Sequence, residues 1–337
     1  MAKLRFDPED EYTHALEETV NFNESMYFNV YDPVRRVGGF FRVGNRANEG
    51  YAEMTVCLYL PDGRVAFMFG RPTIDDNASF SAAGMSFSVV EPFKELKVGY
   101  EGKVVMLDDP LAMAHPKRAF TENPWVECKA ELTFRGVSPM LGGEMVADDG
   151  SPLADTGQGF ARAHYEQHTA GAGSLQVGDD EWVIDGFGLR DHSWGPRYWQ
   201  SPWWYRWLTA NCGPDLGFMI SVIASRDGSK RKAGVVLRDG AYESIHTVEV
   251  DTDWAGEDMY HSGIRATAVT AGGTYEITGK VLSLVPLRNR RQDNDGTQLV
   301  TRISEGLTEW TCNGAVGYGL SEYLDQIVDG KPVGSVA

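Results

Sequence analysis

Ionisable and aromatic side chains are concentrated in one stretch of the sequence, residues 182–207. Six of the nine Trp residues lie in this stretch, and Arg190, Asp191 and His192 stand together in it. An exposed loop does not need six indole rings, and a dry core disfavours an Arg-Asp-His run, because buried charges require partners. The combination is typical of a wall between an apolar cavity and a polar cluster, so it indicates a functional site.

His192 is the first candidate for acid–base chemistry in this stretch. If the residues around it form a strand, Arg190 and His192 share one face with Gly186 and Gly188, and Asp191 lies on the other face. Small residues beside His192 would leave room for a ligand, and imidazole exchanges protons near neutral pH. We expect His192 to act as a general acid or base that Asp191 and Arg190 orient. The alternative is an ion-paired cluster that only locks the strand end.

The aromatic residues of the stretch are candidates for holding a substrate. They could line an apolar ligand or stabilise a developing carbocation by cation–π attraction, worth about 0.5–2 kcal/mol per ring. Any single ring could equally belong to the core, but one strand cannot bury all of them inward. The candidate substrate-binding rings are Trp194, Tyr198, Trp199, Trp203, Trp204, Tyr205 and Trp207, together with Tyr318 near the C-terminus.

A second polar set precedes this stretch. His164, Glu166 and His168 alternate in the sequence, so a strand would place them on one face. Two imidazoles and a carboxylate form a known metal-ligand set, but three residues of one strand spread over about 13 Å and rarely converge. We therefore expect no metal, and we assign His164 and His168 to the substrate site, where one of them could be an acid or base.

Two acids near the C-terminus lie in apolar runs. Glu309 is part of LTEWTC and Glu322 is part of YGLSEYL. Burial raises the pKa of a carboxyl group, which suits proton donation to an alkene, so Glu322 is a further catalytic candidate. In the alternative interpretation these carboxylates pair with a core arginine, for which the candidates are Arg190, Arg197 and Arg206.

Other reaction classes lack their motifs. The sequence contains no G-x-G-x-x-G, P-loop or G-x-S-x-G pattern, and its four cysteines form no Cys-x-x-Cys pair. We therefore expect no nucleotide cofactor, no zinc knuckle and no serine hydrolase; the expected cofactor is none.

Charge and hydropathy limit the partners. Lys and Arg number 31 against 48 Asp and Glu, a net charge of −17, which disfavours binding to nucleic acid or to anionic membranes. The N-terminus is charged and no window of about 18 apolar residues occurs, so we expect no membrane insertion and a cytoplasmic location. The expected partner is an apolar small molecule, and the composition is compatible with a homodimer.

The pattern around these residues is one of short β-type runs separated by turns. Turns are predicted at PDG (61–63), YEG (100–102), RDG (238–240) and AGG (271–273), and no α/β alternation is present. A Gly-, Ser-, Pro- and Asp-rich segment at 136–159 is predicted to be a domain connection or a lid. This organisation predicts an acidic lead-in (1–24), a first β-barrel (25–160) and a second one (161–337).

Three motifs carry a resemblance to a known superfamily. The motifs are DGFGLRDHSWGPR (185–197), HYEQH (164–168) and GYGLSEYLDQ (317–326). They resemble the tandem lipocalin-like superfamily of carotenoid 1,2-hydratases (hydroxyneurosporene synthases), AttH-like proteins and fungal Diels–Alderases. Within that superfamily they resemble the bacterial branch with an RDHSWG motif. The resemblance implies a mainly β fold of two fused lipocalin-like antiparallel β-barrels with an apolar ligand pocket. It marks the segment with Asp191, His192 and Trp194 as the place of the site.

Function is predicted from the residues together with this resemblance. We expect a cofactor-independent lyase or hydratase that acts on an isoprenoid or polycyclic aromatic compound by general acid–base proton transfer. Two alternatives are a pericyclase, isomerase or cyclase that shapes an apolar substrate, and a protein that binds an apolar ligand without transforming it.

Overall fold

Antiparallel β-strands dominate the computed structural model, which describes residues 3–151, 160–292 and 295–335. The strands form two sheets. The single α-helix of the described residues, α1, spans Pro116–Glu122, and short 3-10 helices lie at Pro8–Glu11, Ala47–Glu49, Pro110–Ala114 and Val333–Ser335. Among these residues no helix is long and apolar enough to span a membrane. The prediction of a mainly antiparallel β fold with little helix is confirmed.

Within the described residues the first sheet contains twelve strands, most of which pair in a closed cycle. Starting at β11, the pairings run through β12, β2, β3, β4, β5, β8 and β9 and return to β11. The strands are β1 Lys3–Arg5, β2 Phe22–Asp32, β3 Val37–Arg46, β4 Tyr51–Tyr59, β5 Val65–Gly70, β6 Ser81–Ala82, β7 Met85–Glu91, β8 Glu95–Leu107, β9 Trp125–Gly136, β10 Leu141–Val146, β11 Ala163–Val177 and β12 Asp180–Pro196.

The second sheet has nine strands in the part of the chain that the structure describes. The first eight close into a barrel because β13 pairs with both β14 and β20. The strands are β13 Trp204–Asn211, β14 Leu216–Ala224, β15 Lys230–Arg238, β16 Ala241–Ala255, β17 Tyr260–Thr270, β18 Gly273–Gln292, β19 Gln298–Cys312, β20 Ala315–Val328 and β21 Lys331–Pro332.

Each sheet buries one apolar face, as the alternation in sequence predicts. In the first sheet, Met26, Phe28 and Val30 of β2 belong to a large buried cluster. In the second, Trp204 and Leu208 of β13 belong to another. Residues paired directly across two antiparallel strands share a face, so Arg190 and His192, which lie opposite Phe28 and Met26, point to the core side of β12.

The chain forms two compact units whose boundary differs from the expected one near residue 160. The first unit comprises Met1–Asp108 and Glu122–Tyr198, and the second comprises Asp109–Thr121 and Trp199–Ala337. β11 and β12 belong to the first unit because β12 pairs along its C-terminal half with β2. The predicted connection at 136–159 contains β10, and residues 152–159 of it lie outside the described residues.

The second unit includes a piece of chain that lies between two strands of the first. Asp109–Thr121 follows β8 and precedes β9, yet it clusters with the second unit. Its 3-10 helix at Pro110–Ala114 lies against β18. Folding of the second unit therefore uses two separate stretches of sequence.

One predicted turn is wrong. The YEG at 100–102 lies within β8, which continues unbroken because β9 pairs with it from Glu95 to Val105. Tyr100 is buried there and donates its hydroxyl hydrogen to the carbonyl oxygen of Lys103. A glycine beside an aromatic residue is therefore accommodated inside a long strand, without ending it.

Candidate functional site

His192 lies in a buried polar cluster on the core side of β11 and β12. Its Nε2 is 2.9 Å from Glu24 Oε1, and its Nδ1 is 2.8 Å from the Tyr165 hydroxyl. Tyr165 in turn hydrogen-bonds the carboxylate of Glu11. The His192 side chain is fully buried, and both of its ring nitrogens have a protein partner. We call the set formed by Asp10, Glu11, His14, Glu24, Tyr165, Arg190 and His192 the inner cluster.

Within the inner cluster, Arg190 forms an ion pair with Glu11. Its Nη1 donates to Glu11 Oε1 at 2.6 Å, and its Nε donates to Gln167 Oε1 at 2.9 Å. Burial raises the pKa of Glu11, but Arg190 and Tyr165 outweigh it, so the pKa of Glu11 lies below its ordinary value. The Arg190–Glu11 pair fastens the N-terminal segment to β12.

His14 and Glu24 complete the inner cluster, and both come from the predicted lead-in segment. His14 Nδ1 is 2.6 Å from Glu24 Oε1, and the His14 backbone N–H donates to Glu24 Oε2 at 2.8 Å. The His14 ring stacks on Trp194 with centroids 4.0 Å apart. Burial raises the pKa of Glu24, but the hydrogen bonds from His14 and His192 lower it to about 2.

Sequence reasoning missed Glu11, His14 and Glu24. The available signal was Glu24 itself, an acid within the apolar run that becomes β2, because a carboxylate buried in a strand requires a partner. That partner, His14, lies ten residues earlier, outside any regular pattern.

Asp191 lies on the opposite face of β12, where it meets His164. Because β11 and β12 form a hairpin, Glu166 is directly opposite Asp191 and His164 is its diagonal neighbour. His164 Nε2 hydrogen-bonds the Asp191 carboxylate and lies 4.0 Å from Glu166 Oε1. The His164 side chain is 45% exposed, whereas that of Asp191 is 17% exposed. We call His164 and Asp191 the outer dyad.

The electrostatics of the outer dyad favour a charged imidazole. Partial burial lowers the pKa of His164, but the Asp191 and Glu166 carboxylates outweigh it and raise that pKa to about 9. Burial raises the pKa of Asp191, but His164 and Arg197 outweigh it, so this carboxyl stays ionised. Arg197 is held by Ser193, whose Oγ accepts a hydrogen bond from Arg197 Nη2 at 2.7 Å.

The glycines beside His192 do not make room for a ligand, contrary to expectation. A Cβ on Gly188 would lie 1.8 Å from the backbone oxygen of Asn29, and one on Gly186 would lie 2.2 Å from that of Tyr31. The neighbouring strand β2 fills this space, so the two glycines allow close strand packing.

Gly188→Ala is therefore expected to destabilise the first unit by about 1–3 kcal/mol, because the methyl group meets backbone that cannot move freely. Gly99→Ala in β8 is the matched control, since its Cβ would meet only the side-chain oxygen of Ser86 at 3.1 Å. Urea unfolding followed by tryptophan fluorescence measures both. Equal losses of unfolding free energy would contradict this explanation.

The structure divides the aromatic candidates among different surroundings. Trp194 is buried with Phe22 and Tyr165 in the first unit, and Trp204 is buried in the core of the second. Trp203 packs beneath Arg226, whose guanidinium lies 4.4 Å from the ring. The half-buried members of the set are Tyr198, Trp199, Trp203, Trp207 and Tyr318.

Tyr205 and Glu322 are brought together on the outward face of β13 and β20. The Tyr205 hydroxyl hydrogen-bonds the Glu322 carboxylate. A similar pair lies nearby, where the Tyr318 hydroxyl donates to Glu309 Oε2 at 2.8 Å. Both acids thus have phenol partners, and the arginines considered for them pair elsewhere: Arg190 with Glu11, Arg197 with Ser193 and Arg206 with Asp325.

Two sets of side chains offer ligand atoms close enough to hold a metal ion in the described part of the chain. One is His14, Glu24 and His192 of the inner cluster. The other is the outer dyad with Glu166. His168, which the sequence grouped with His164 and Glu166, is buried further along β11, so the three do not converge.

Solved structures share this fold at low sequence identity. The protein described as AttH from Nitrosomonas europaea is 14% identical with a TM-score of 0.55, and 96% of each chain is covered. CghA is 12% identical with a TM-score of 0.51 over 93% of each chain. Kievitone hydratase from Nectria haematococca is 10% identical with a TM-score of 0.51, over 95% of this chain and 93% of its own. These likenesses establish the fold alone.

At the level of sequence, none of the proteins with curated functions matches. A family described as "Domain of unknown function (DUF7064)" matches residues 7–327, nearly the whole of both units. The chain belongs to the DUF7064 family.

Proposed function

We propose that this protein is a lyase of the hydratase type, which adds water to an apolar small molecule or removes it, with His164 as the proton-transferring group. The observation that carries the proposal is the outer dyad: a half-exposed imidazole held by an ionised carboxylate. The structural likeness to kievitone hydratase supports a reaction of this class, at the level of the fold.

The state of His164 suits a general acid. With a pKa of about 9 it is an imidazolium at neutral pH. Its Nε2–H is directed to Asp191, and no residue of the described segments hydrogen-bonds its Nδ1. The Nδ1–H is therefore available to a substrate, and Asp191 acts as the positioning residue.

The reaction balances with His164 alone as the proton carrier. In the hydration direction Nδ1–H protonates one carbon of an alkene, and the electron pair of the double bond forms the new C–H bond. Water attacks the resulting cationic carbon, and the neutral imidazole takes the extra proton from the added oxygen. Dehydration runs through the same steps in reverse, so His164 begins and ends protonated.

We assign the role of general acid to His164 and not to His192. His192 is fully buried and both of its nitrogens are hydrogen-bonded, so a substrate would have to displace Tyr165 or Glu24 to reach it. The catalytic role expected for Glu322 and the substrate contacts expected for Tyr205 and Tyr318 stay predictions, and the proposed reaction does not use them. In the second unit Glu322 is hydrogen-bonded to Tyr205, and Tyr318 to Glu309.

The direct test incubates the purified chain with a panel of isoprenoid and polycyclic aromatic compounds and measures product masses. Gain or loss of one water is the expected result. A product of unchanged mass but altered retention would replace the proposal with an isomerase or cyclase. Tight binding of panel members without any product would replace it with a ligand-binding protein.

Asp191→Asn should move the alkaline limit of activity to lower pH. A general acid works only while protonated, so activity is present below the pKa of His164 and is lost as pH rises through about 9. Asn keeps the hydrogen-bonding shape but removes the charge that raises this pKa, which then falls toward its ordinary value of about 6.5. The pH profile of kcat/KM measures the shift. Asp253→Asn, in an exposed ion pair of the second unit, is the control; identical profiles for both variants would refute the role of Asp191.

A further inference from the structure

The inner cluster contains an arrangement that the proposed function does not use. We infer that His14, Glu24 and His192 form a binding site for a divalent transition-metal ion that fastens the N-terminal segment to β2 and β12. This site is independent of the outer dyad, because its residues lie on the core side of β11 and β12 and the dyad lies on the other side.

The three side chains converge on one point. His14 Nδ1 lies 2.6 Å and His192 Nε2 lies 2.9 Å from the same oxygen, Glu24 Oε1. All three ligand atoms are within 4.8 Å of one another. Zinc binds nitrogen and carboxylate oxygen at about 2.0–2.2 Å, so adjacent ligands in a tetrahedral site lie about 3.3 Å apart. The two imidazole nitrogens reach this spacing if each moves several tenths of an ångström away from Glu24 Oε1.

The second nitrogen of each imidazole has the partner that a metal-binding histidine requires. His14 Nε2 is 3.3 Å from Asp10 Oδ1. His192 Nδ1 is hydrogen-bonded to the Tyr165 hydroxyl, which is hydrogen-bonded in turn to Glu11. Metal-bound histidines almost always donate their other N–H to such acceptors, which fixes the tautomer and leaves the metal-facing nitrogen unprotonated. The inner cluster therefore resembles a pair of ligands with their supporting groups in place.

The charges of the inner cluster match a divalent cation. Asp10, Glu11 and Glu24 bring three negative charges, and Arg190 brings one positive charge, which leaves two negative charges in a buried region. One divalent ion with two neutral imidazoles balances them. Without a metal the same balance requires both histidines to be protonated, and this is the competing state that the experiment must distinguish.

The ligand set and its burial indicate the class of metal and its role. Imidazole with one carboxylate suits zinc and its first-row neighbours better than magnesium or calcium, which prefer oxygen ligands. Glu24 and His192 are fully buried, whereas the His14 side chain is 22% exposed and gives a route in from solvent. A site of this kind stabilises the fold, since His14 is contributed by a segment outside the sheets.

Zinc binding by the full-length chain tests the inference. The purified protein is stripped with a chelator, dialysed and titrated with Zn²⁺ by calorimetry, with cobalt substitution as a second measurement. We expect one equivalent to bind and the thermal unfolding midpoint to rise. His14→Ala should weaken binding by at least about 100-fold, the upper range found for loss of a mere supporting partner. His164→Ala, in the other donor set, and His246→Ala, on an exposed strand position, should bind as the wild type does.

Two results would overturn the inference. One is a stripped, folded wild-type chain that binds no Zn²⁺. The other is binding that survives His14→Ala and is lost in His164→Ala, which would place the ion at the outer dyad. If His14→Ala does not fold, nuclear magnetic resonance of the Co²⁺-loaded wild type decides: two strongly shifted imidazole N–H signals support the site, and fewer than two refute it.

Discussion

His164→Gln should lower turnover at least about 100-fold with the fold unchanged, because a general acid contributes about 10²–10⁴-fold to a proton transfer. Gln keeps a hydrogen-bonding side chain next to Asp191 but cannot carry the proton. The half-exposed position of His164 makes a large loss of stability unexpected. The kcat and kcat/KM for the substrate found in the panel measure the effect, and circular dichroism checks the fold.

Chemical rescue distinguishes this chemistry from a structural role. In His164→Ala, added imidazole should restore part of the lost turnover, since the vacated space is open to solvent. His246→Gln, on an exposed position of β16, is the control and should keep wild-type turnover. Wild-type turnover in a folded His164→Gln protein would remove His164 from the mechanism.

Asp325→Ala should destabilise the second unit by about 3–5 kcal/mol, the cost of leaving one member of a buried ion pair without its partner. Arg206 donates from Nη1 and Nη2 to the two carboxylate oxygens of Asp325, both at 3.0 Å. The two side chains are 4% and 1% exposed. Asp325 also accepts a hydrogen bond from the backbone N–H of Gly334 at 2.8 Å, which the substitution removes.

The same barrel offers a matched control that differs in burial. Arg265 and Asp253 form a second two-bond pair, at 2.6 and 2.8 Å, with side chains 55% and 53% exposed. Asp253→Ala should cost no more than about 1 kcal/mol, because water replaces the lost partner. Chemical denaturation gives both unfolding free energies. Similar losses for the two variants would show that burial of the Arg206–Asp325 pair is not what stabilises it.

Alternation in sequence predicted which residues of β12 share a face. Arg190 and His192 were expected on one side and Asp191 on the other, and their contacts confirm this: the first two meet residues of the inner cluster, and Asp191 meets His164. The turns at RDG and AGG are confirmed in the same way, since β15 ends at Arg238 and β18 begins at Gly273. These features depend on neighbours in sequence alone.

Predicting which residues of β11 and β12 contact each other requires the register of the hairpin as well as the alternation of side chains. β11 and β12 are joined by a two-residue turn at Gly178 and Asp179, with Gly178 at a φ of +61°. A turn of this length fixes the register of the hairpin, and the register sets Tyr165 opposite His192 and places His164 diagonally to Asp191. The same register separates His164 from His192, which lie on opposite faces of the hairpin.

Neither alternation nor hairpin register predicts the inner cluster. Glu11 and His14 reach Arg190 and His192 across more than 170 positions of the chain, through a segment with no periodic pattern. Their placement depends on how the lead-in segment packs against the finished sheet. Contacts between residues so far apart in sequence depend on the whole fold, so no local sequence pattern predicts the contacts of Glu11 and His14.

The segment Asp109–Thr121, which leaves the first unit between β8 and β9 to join the second, has an evolutionary consequence. A gene cut after Tyr198 would leave the downstream half incomplete, because Asp109–Thr121 would stay with the upstream half. Recombination that shuffles intact barrels is thereby disfavoured, and the two units are expected to be inherited together as one indivisible module.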